Sequence, residues 1–275
     1  MKLSLLLVMA LLSSACANPV EEFHLAPAPN MERADLYYLP SSSTLKAVLV
    51  LCPGVNRSGE ELVSSPVWQK FARSNNLGLV GLSFSSPLNH IKDGLGYYYA
   101  SKGSGDQLLE GIRNIYGGDP PLLLYGFSGG AQFTSRFEEY APDHVLTWCA
   151  YSAEWWDIPL HKAQNPPGLV ACGESDAVRY GASITYFKQG RAVGKPWVWI
   201  SLPRTDHENS PLLDDFVRKY FSACLNGGSN LSRGVWVDVD TKLIVSEQEA
   251  QNHPSLSAWL PTQQLYDDWK TIHEP

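Results

Sequence analysis

Gly126-Phe127-Ser128-Gly129-Gly130 follows the apolar run Leu122-Leu123-Leu124-Tyr125 and precedes a helix-forming stretch, Ala131 to Tyr140, that Pro142 stops. A serine between glycines at a strand-to-helix junction is the G-x-S-x-G pattern of a nucleophile elbow. Such a turn strains the serine backbone and brings chain segments so close that a Cβ on either side would clash. The hydroxyl then stands above the sheet edge. The chemistry open to it is nucleophilic attack, provided a base takes its proton.

A base and a group to orient it are expected after the elbow, in the chain order serine, acid, histidine. Pro167 to Cys172 reads as a short buried strand, and the turn after it, Gly173-Glu174-Ser175-Asp176, offers a carboxylate at the strand's C-terminal end. Asp176 is the expected acid. Glu174 falls too early in that turn, and Asp206 adjoins the histidine in sequence, where side chains diverge. The run Trp197 to Ile200 is another strand, and the loop Pro203 to Glu208 after it carries His207, the expected base. The other histidines lie before the elbow, inside a strand or in the tail. A surface polar group in a loop is the bland alternative for each residue. Three residues in one order, each at the end of its own strand, outweigh it.

Acyl transfer also needs donors for the oxyanion. One is the backbone N–H of Gly129, the residue after the serine. The second is expected from the loop Cys52-Pro53-Gly54-Val55-Asn56, which follows the early strand Lys46 to Leu51. Val55 is favoured there, with Asn56 as the other choice; a plain Pro-Gly turn is the alternative reading.

On these motifs the chain resembles the α/β-hydrolases over about residues 35 to 225. It looks most like small secreted esterases related to polyhydroxyalkanoate depolymerases, feruloyl esterases and dienelactone hydrolases. The resemblance implies an α/β fold with a mostly parallel central sheet and helices on both faces. The activity it implies is carboxylic ester hydrolysis through an acyl-serine, without a cofactor. One departure is that Pro53-Gly54 stands where the family carries His-Gly or His-Gly-Gly-Gly.

The elements that must position these residues can be read independently of that resemblance. Leu79 to Phe84 is a further near-continuous apolar run of the kind found in parallel strands buried on both faces. Between Pro66 and Asn76, Val67, Phe71 and Ala72 recur at helical spacing. Ser104-Gly105-Asp106-Gln107 reads as a capping box ahead of Leu108, Leu109, Ile112 and Ile115 on one helix face. Alternating strands and helices imply an α/β layer architecture. Tyr97-Tyr98-Tyr99 and the Tyr151, Trp155, Trp156 group fall in loops expected at the same sheet edge as the serine. At least one of Tyr98, Tyr151 and Trp155 is expected to face substrate, although bulky loop residues more often pack loops onto the body.

Met1-Lys2, the apolar stretch Leu5 to Leu12 and Ala15-Cys16-Ala17 have the form of a signal peptide, residues 1–17, implying a secreted or periplasmic protein. A lipid anchor at Cys16 is the alternative. No later stretch is apolar and long enough for a membrane helix. The remaining chain suits one large domain, expected over 18–225. Beyond it, 226–275 is expected as an extension packed on the catalytic domain, with Gly234 to Asp240 as an edge strand and a short helix containing Leu265, Tyr266 and Trp269. Cys52, Cys149 and Cys172 sit at strand ends as small hydrophobes, so no disulfide framework is expected. No C-x-x-C pair or H-E-x-x-H supports a metal. A formal net charge of −7 without a basic run argues against nucleic acid as a partner.

The expected function is therefore a secreted serine esterase acting on a small-molecule or polymeric ester. A prolyl-oligopeptidase-like peptidase, or a non-catalytic binding protein on a hydrolase scaffold, are the alternatives. Which ester is cleaved and the oligomeric state do not follow from the sequence.

Overall fold

The computed structural model describes residues 19–41, 43–227 and 231–273. The expected signal peptide, with Cys16, lies outside the described residues. Eight strands form the main sheet: β1 (Glu21–His24), β2 (Arg33–Leu39), β3 (Ala47–Cys52), β4 (Leu77–Ser85), β5 (Leu122–Phe127), β6 (Val145–Tyr151), β7 (Gly168–Gly173) and β8 (Trp197–Leu202). Their order is β1-β2-β4-β3-β5-β6-β7-β8. β1 and β2 pair antiparallel with each other, and β2 with β4. From β4 to β8 every pairing is parallel.

Composition explains this division. β3, β7 and β8 are buried along their whole length, as strands covered on both faces by helices must be. β2 alternates, with Ala34, Leu36 and Leu39 turned to the core, which suits a strand near the edge. The covering helices are α1 (Glu60–Ser64), α2 (Pro66–Asn75), α3 (Leu88–Lys92), α4 (Ser104–Tyr116), α5 (Gly129–Tyr140), α6 (Tyr180–Ala192) and α7 (Pro211–Gly227). α2 buries Trp68, Phe71 and Ala72. Val67, expected on that face, is exposed instead, because the helix starts at Pro66 and its apolar stripe runs through Trp68.

The expected capping box at Ser104 does not form. Gly103, at φ +116°, occupies the N-cap position, and Ser104 is already inside the helix. Its buried hydroxyl donates to the carbonyl of Tyr97 and so ties the tyrosine loop to α4.

The C-terminal residues form a second sheet, with β9 (Val235–Asp238) between β10 (Ile244–Val245) and β11 (Ser257–Leu260), followed or interleaved by α8 (Glu247–Asn252) and α9 (Gln264–Ile272). β9 is thus the middle strand and not an edge; alternation alone cannot tell the two apart, because both have one face covered. Trp269 Nε1 donates to the carbonyl of Trp199 at 2.9 Å, and Arg191 Nε donates to the carbonyl of Ser257 at 2.7 Å. These bonds fasten the second sheet and α9 to β8 and α6. All four described cysteines, Cys52, Cys149, Cys172 and Cys224, are buried and unpaired. Among the described residues no helix is long and apolar enough to cross a membrane.

Four of the non-glycine residues with positive φ stand just past the carboxyl ends of parallel strands: Asn56 after β3, Ser128 after β5, Ser152 after β6 and Arg204 after β8. Backbone strain of this kind costs on the order of 1–3 kcal/mol per residue and persists where the surroundings over-determine it. It is gathered at the edge where ligands of open α/β sheets bind.

Candidate active site

Ser128 has φ +55° and ψ −116°, between β5 and the first turn of α5. The flanking glycines are required by contact. A Cβ on Gly126 would lie 2.3 Å from the carbonyl oxygen of Gly130, and one on Gly130 would lie 2.0 Å from that of Cys52. Both distances are shorter than any real Cβ contact, so the elbow closes only with glycine at these positions.

His207 Nε2 lies 3.0 Å from Ser128 Oγ, and His207 Nδ1 lies 2.9 Å from Asp176 Oδ2. A carboxylate only accepts, so Nδ1 donates to Asp176 and Nε2 is left to accept the serine proton. The side chain of Asp176 is 2% exposed and that of His207 27% exposed. The turns that carry them are joined by backbone bonds: Glu174 N–H donates to the Leu202 carbonyl at 3.0 Å and Ser175 N–H to the Thr205 carbonyl at 2.9 Å. Gly173 permits this closeness, since a Cβ there would lie 2.2 Å from the Thr205 carbonyl oxygen. The rival acids are engaged elsewhere. Glu174 Oε1 accepts from Ser201 Oγ at 2.7 Å, and Asp206 Oδ1 accepts the backbone N–H of His207 at 2.8 Å.

The histidine ring is held by Phe127 and, behind it, by Tyr151, a residue expected at the substrate and found bracing the histidine loop instead. Phe127, the variable position of the elbow, stacks on the imidazole with ring centroids 4.8 Å apart and planes at 25°. Tyr151 packs against Phe127 at 5.1 Å and donates its hydroxyl to the Glu208 carbonyl at 2.6 Å, tying down the histidine loop. Burial pushes that phenol well above its usual range, so it stays a donor.

The backbones of Val55 and Gly129 approach each other closely. A Cβ on Gly129 would lie 2.6 Å from Val55 N, and one on Gly54 would lie 3.9 Å from Ser128 Cβ. Among the described residues neither the Val55 nor the Gly129 N–H has a hydrogen-bond acceptor. Asn56, the other candidate, braces the loop: its Oδ1 accepts from Ser86 N–H at 3.1 Å and its Nδ2 donates to the Ser86 carbonyl at 3.0 Å.

Of the three candidate substrate-contacting aromatics, Tyr98 and Tyr151 are buried, at 1% and 0% exposure, and Trp155 is 48% exposed. Tyr98 donates to the Ile91 carbonyl at 3.0 Å, which packs its loop onto the body. Trp156 stacks on Tyr186 with centroids 4.2 Å apart. Arg136 on α5 makes a bidentate pair with Asp157, both bonds at 2.9 Å. Arg179 also emerges only from the structure, 3.0 Å from Asp176 Oδ1; its place three residues after the acid was the available signal. A cavity of about 680 Å³ lies between α2, α7 and α9 and is lined by neither Ser128 nor His207. Among the described residues the metal-type cluster Glu22, His24 and Asp35 belongs to β1 and β2, and His24 is already hydrogen-bonded to Asp35 at 2.9 Å.

No protein-family model and no curated protein matches the chain. Solved structures do. Poly(aspartic acid) hydrolase-1 from Sphingomonas sp. KT-1 superposes with a TM-score of 0.55 at 15% identity, over 73% of this chain and 97% of that one. An S-formylglutathione hydrolase from Staphylococcus aureus gives a TM-score of 0.52 at 13% identity, over 75% and 98% of the two chains. The esterase from Pyrobaculum calidifontis gives 0.54 at 13% identity, over 76% and 85%. This is the α/β-hydrolase fold. Ser128 follows β5, and after the intervening β6, Asp176 and His207 follow β7 and β8.

Proposed function

We propose that the chain is a serine hydrolase that cleaves carboxylic esters through an acyl-serine, with Ser128, His207 and Asp176 as its triad. The observation that carries this reading is the unbroken line of hydrogen bonds from Ser128 Oγ through both ring nitrogens of His207 to Asp176, at 3.0 and 2.9 Å, on a strained elbow. His207 takes the hydroxyl proton as Ser128 Oγ attacks the ester carbonyl, and Asp176 holds the imidazole in the tautomer that leaves Nε2 free. The oxyanion is received by the N–H groups of Gly129 and Val55, each such donor contributing about 3 kcal/mol to the transition state. His207 then returns the proton to the departing alcohol, and water, activated by the same histidine, releases the acid from the serine. Trp155, the exposed one of the three candidate aromatics, contacts the substrate.

In this reading 18–225 is the catalytic unit, 226–275 an extension packed on it, and 1–17 a cleaved export signal. The test is hydrolysis of p-nitrophenyl esters from acetate to octanoate by the protein and by Ser128→Ala. Turnover lost in the variant supports the reading, and the chain-length optimum sizes the acyl site. Equal turnover by the two proteins, or none by either, removes it. N-terminal sequencing of exported protein tests the signal: a start at Asn18 is expected, and a start at Met1 contradicts it.

A further inference from the structure

The buried carboxylate of Asp176 has a different partner on each oxygen. Oδ2 faces His207, and Oδ1 accepts from Arg179 Nη1 at 3.0 Å. The second arm of the same guanidinium, Nη2, lies 3.5 Å from Glu154 Oε2. Arg179 is fixed from its backbone as well, since its N–H donates to the Asp176 carbonyl at 3.0 Å at the entry to α6. With a partner on one oxygen only, a carboxylate can rotate about its terminal torsion and present either oxygen, or neither, to the imidazole. A guanidinium on Oδ1 removes that freedom with a charge-assisted bond in a place with little water.

Charge points the same way. His207 faces Asp176, Arg179 behind it and Glu154 behind that; Asp206 and Glu208 flank it in its own loop. Arg179 alone would cancel the negative charge that stabilises an imidazolium. Glu154, at the start of the connection from β6 to β7, restores it, so the proton taken from Ser128 arrives opposite a net charge of about −1.

We infer that Arg179 is a positioning residue that locks Asp176 onto His207, and that Glu154 balances its charge. The inference rests on the proposed triad and deepens it.

The test compares the parent with Arg179→Gln, Arg179→Lys and Glu154→Gln, with Ser128→Ala as blank. Kinetics with p-nitrophenyl acetate are followed across pH, and the downfield Nδ1 proton of His207 is followed by NMR. Arg179→Gln should lower kcat about tenfold or more with KM nearly unchanged, as expected for lost alignment. It should also move the acid limb of kcat/KM upward by about half to one pH unit, because a positive charge has been removed. Arg179→Lys should return the limb toward the parent position while recovering only part of kcat, since a flexible ammonium lacks the planar fork that fixes the carboxylate's orientation. Glu154→Gln should move the limb the opposite way by a smaller amount.

A folded Arg179→Gln with the parent's kcat and pH profile overturns the inference. So does a kcat loss with an unmoved limb and no response to lysine, which would mark a merely structural role. If Arg179→Gln fails to fold, Glu154→Gln decides alone, and an unmoved limb overturns the charge balance. Should the parent show no Ser128-dependent turnover, the proposed function fails. The Nδ1 resonance then still judges Arg179: a shift in Arg179→Gln supports the lock, and an unchanged resonance overturns it.

Discussion

Asp176, Arg179 and Glu154 share a charge pattern with Glu138, Lys195 and Glu139: in each, one cation stands between two carboxylates beside the connection from β6 to β7. Lys195 Nζ lies 3.1 Å from Glu138 and 2.7 Å from Glu139, and Leu160 N–H in that connection donates to Glu139 at 3.2 Å. Burial separates the two groups. Lys195 and Glu138 are 1% and 0% exposed, whereas Arg179 is 19% and Glu154 39% exposed. Burial pushes the Glu138 carboxyl up to about 8, even against the pull of Lys195. The same three side-chain types can therefore align a histidine where water reaches one end, and hold a proton where none does.

The largest expected effect lies in the first group. Asp176→Asn should lower kcat by about four orders of magnitude, because an amide stabilises the wrong imidazole tautomer, while Glu138→Gln should leave kcat near the parent value. Steady-state kinetics of both variants check this, and equal losses would break the comparison. Next comes stability. Lys195→Met leaves Glu138 and Glu139 without their cation and should cost about 3–5 kcal/mol in urea unfolding above pH 8, where Glu138 is ionised. Arg179→Gln should cost less, because His207 remains as a partner for Asp176.

The pH dependence sharpens the contrast further. The folded protein holds the Glu138 proton up to about 8, against an ordinary value of 4.5. That contribution to stability is complete below the ordinary value and is lost as pH rises through the folded one. Denaturant midpoints should therefore fall across this window, and Glu138→Gln should flatten the slope. A slope unchanged in the variant would place the titration elsewhere.

The smallest effect concerns a buried base with no carboxylate partner. Burial lowers His273 to about 4; its Nδ1 donates to the Trp269 carbonyl and its Nε2 accepts from Ser201 N–H. Here the sign is reversed. Its contribution is present above 6.5 and is lost as pH falls toward 4, by about 3 kcal/mol. His273→Gln should remove that acid slope in the same unfolding series.

What the sequence reveals follows the range of the interaction. The apolar runs of β3, β4, β5, β7 and β8 identify buried parallel strands, and with them the edge at which Ser128, Asp176 and His207 meet, because a strand's burial is written in its own residues. The elbow glycines are legible for the same reason: they answer to contacts imposed by one local turn. Partners brought from different strands leave no such mark. Arg179 at three residues from Asp176 has the spacing of any surface pair on a helix, and only the fold places Glu154 on its far side. Likewise Tyr98 and Tyr151 were indistinguishable in sequence from Trp155, yet packing buries the first two and leaves the third exposed. The place of β9 within its sheet depends on β10 and β11, which come later in the chain and carry weak strand signals of their own.

The central claim is that Ser128 is a nucleophile activated by His207. Its most direct measurement is intact-mass and peptide mapping after treatment with a fluorophosphonate, on the parent, Ser128→Ala and His207→Ala. One adduct on the Ser128 peptide of the parent, absent from the serine variant and strongly slowed in the histidine variant, is the result expected. An unlabelled parent, or labelling that persists in Ser128→Ala, would contradict the account.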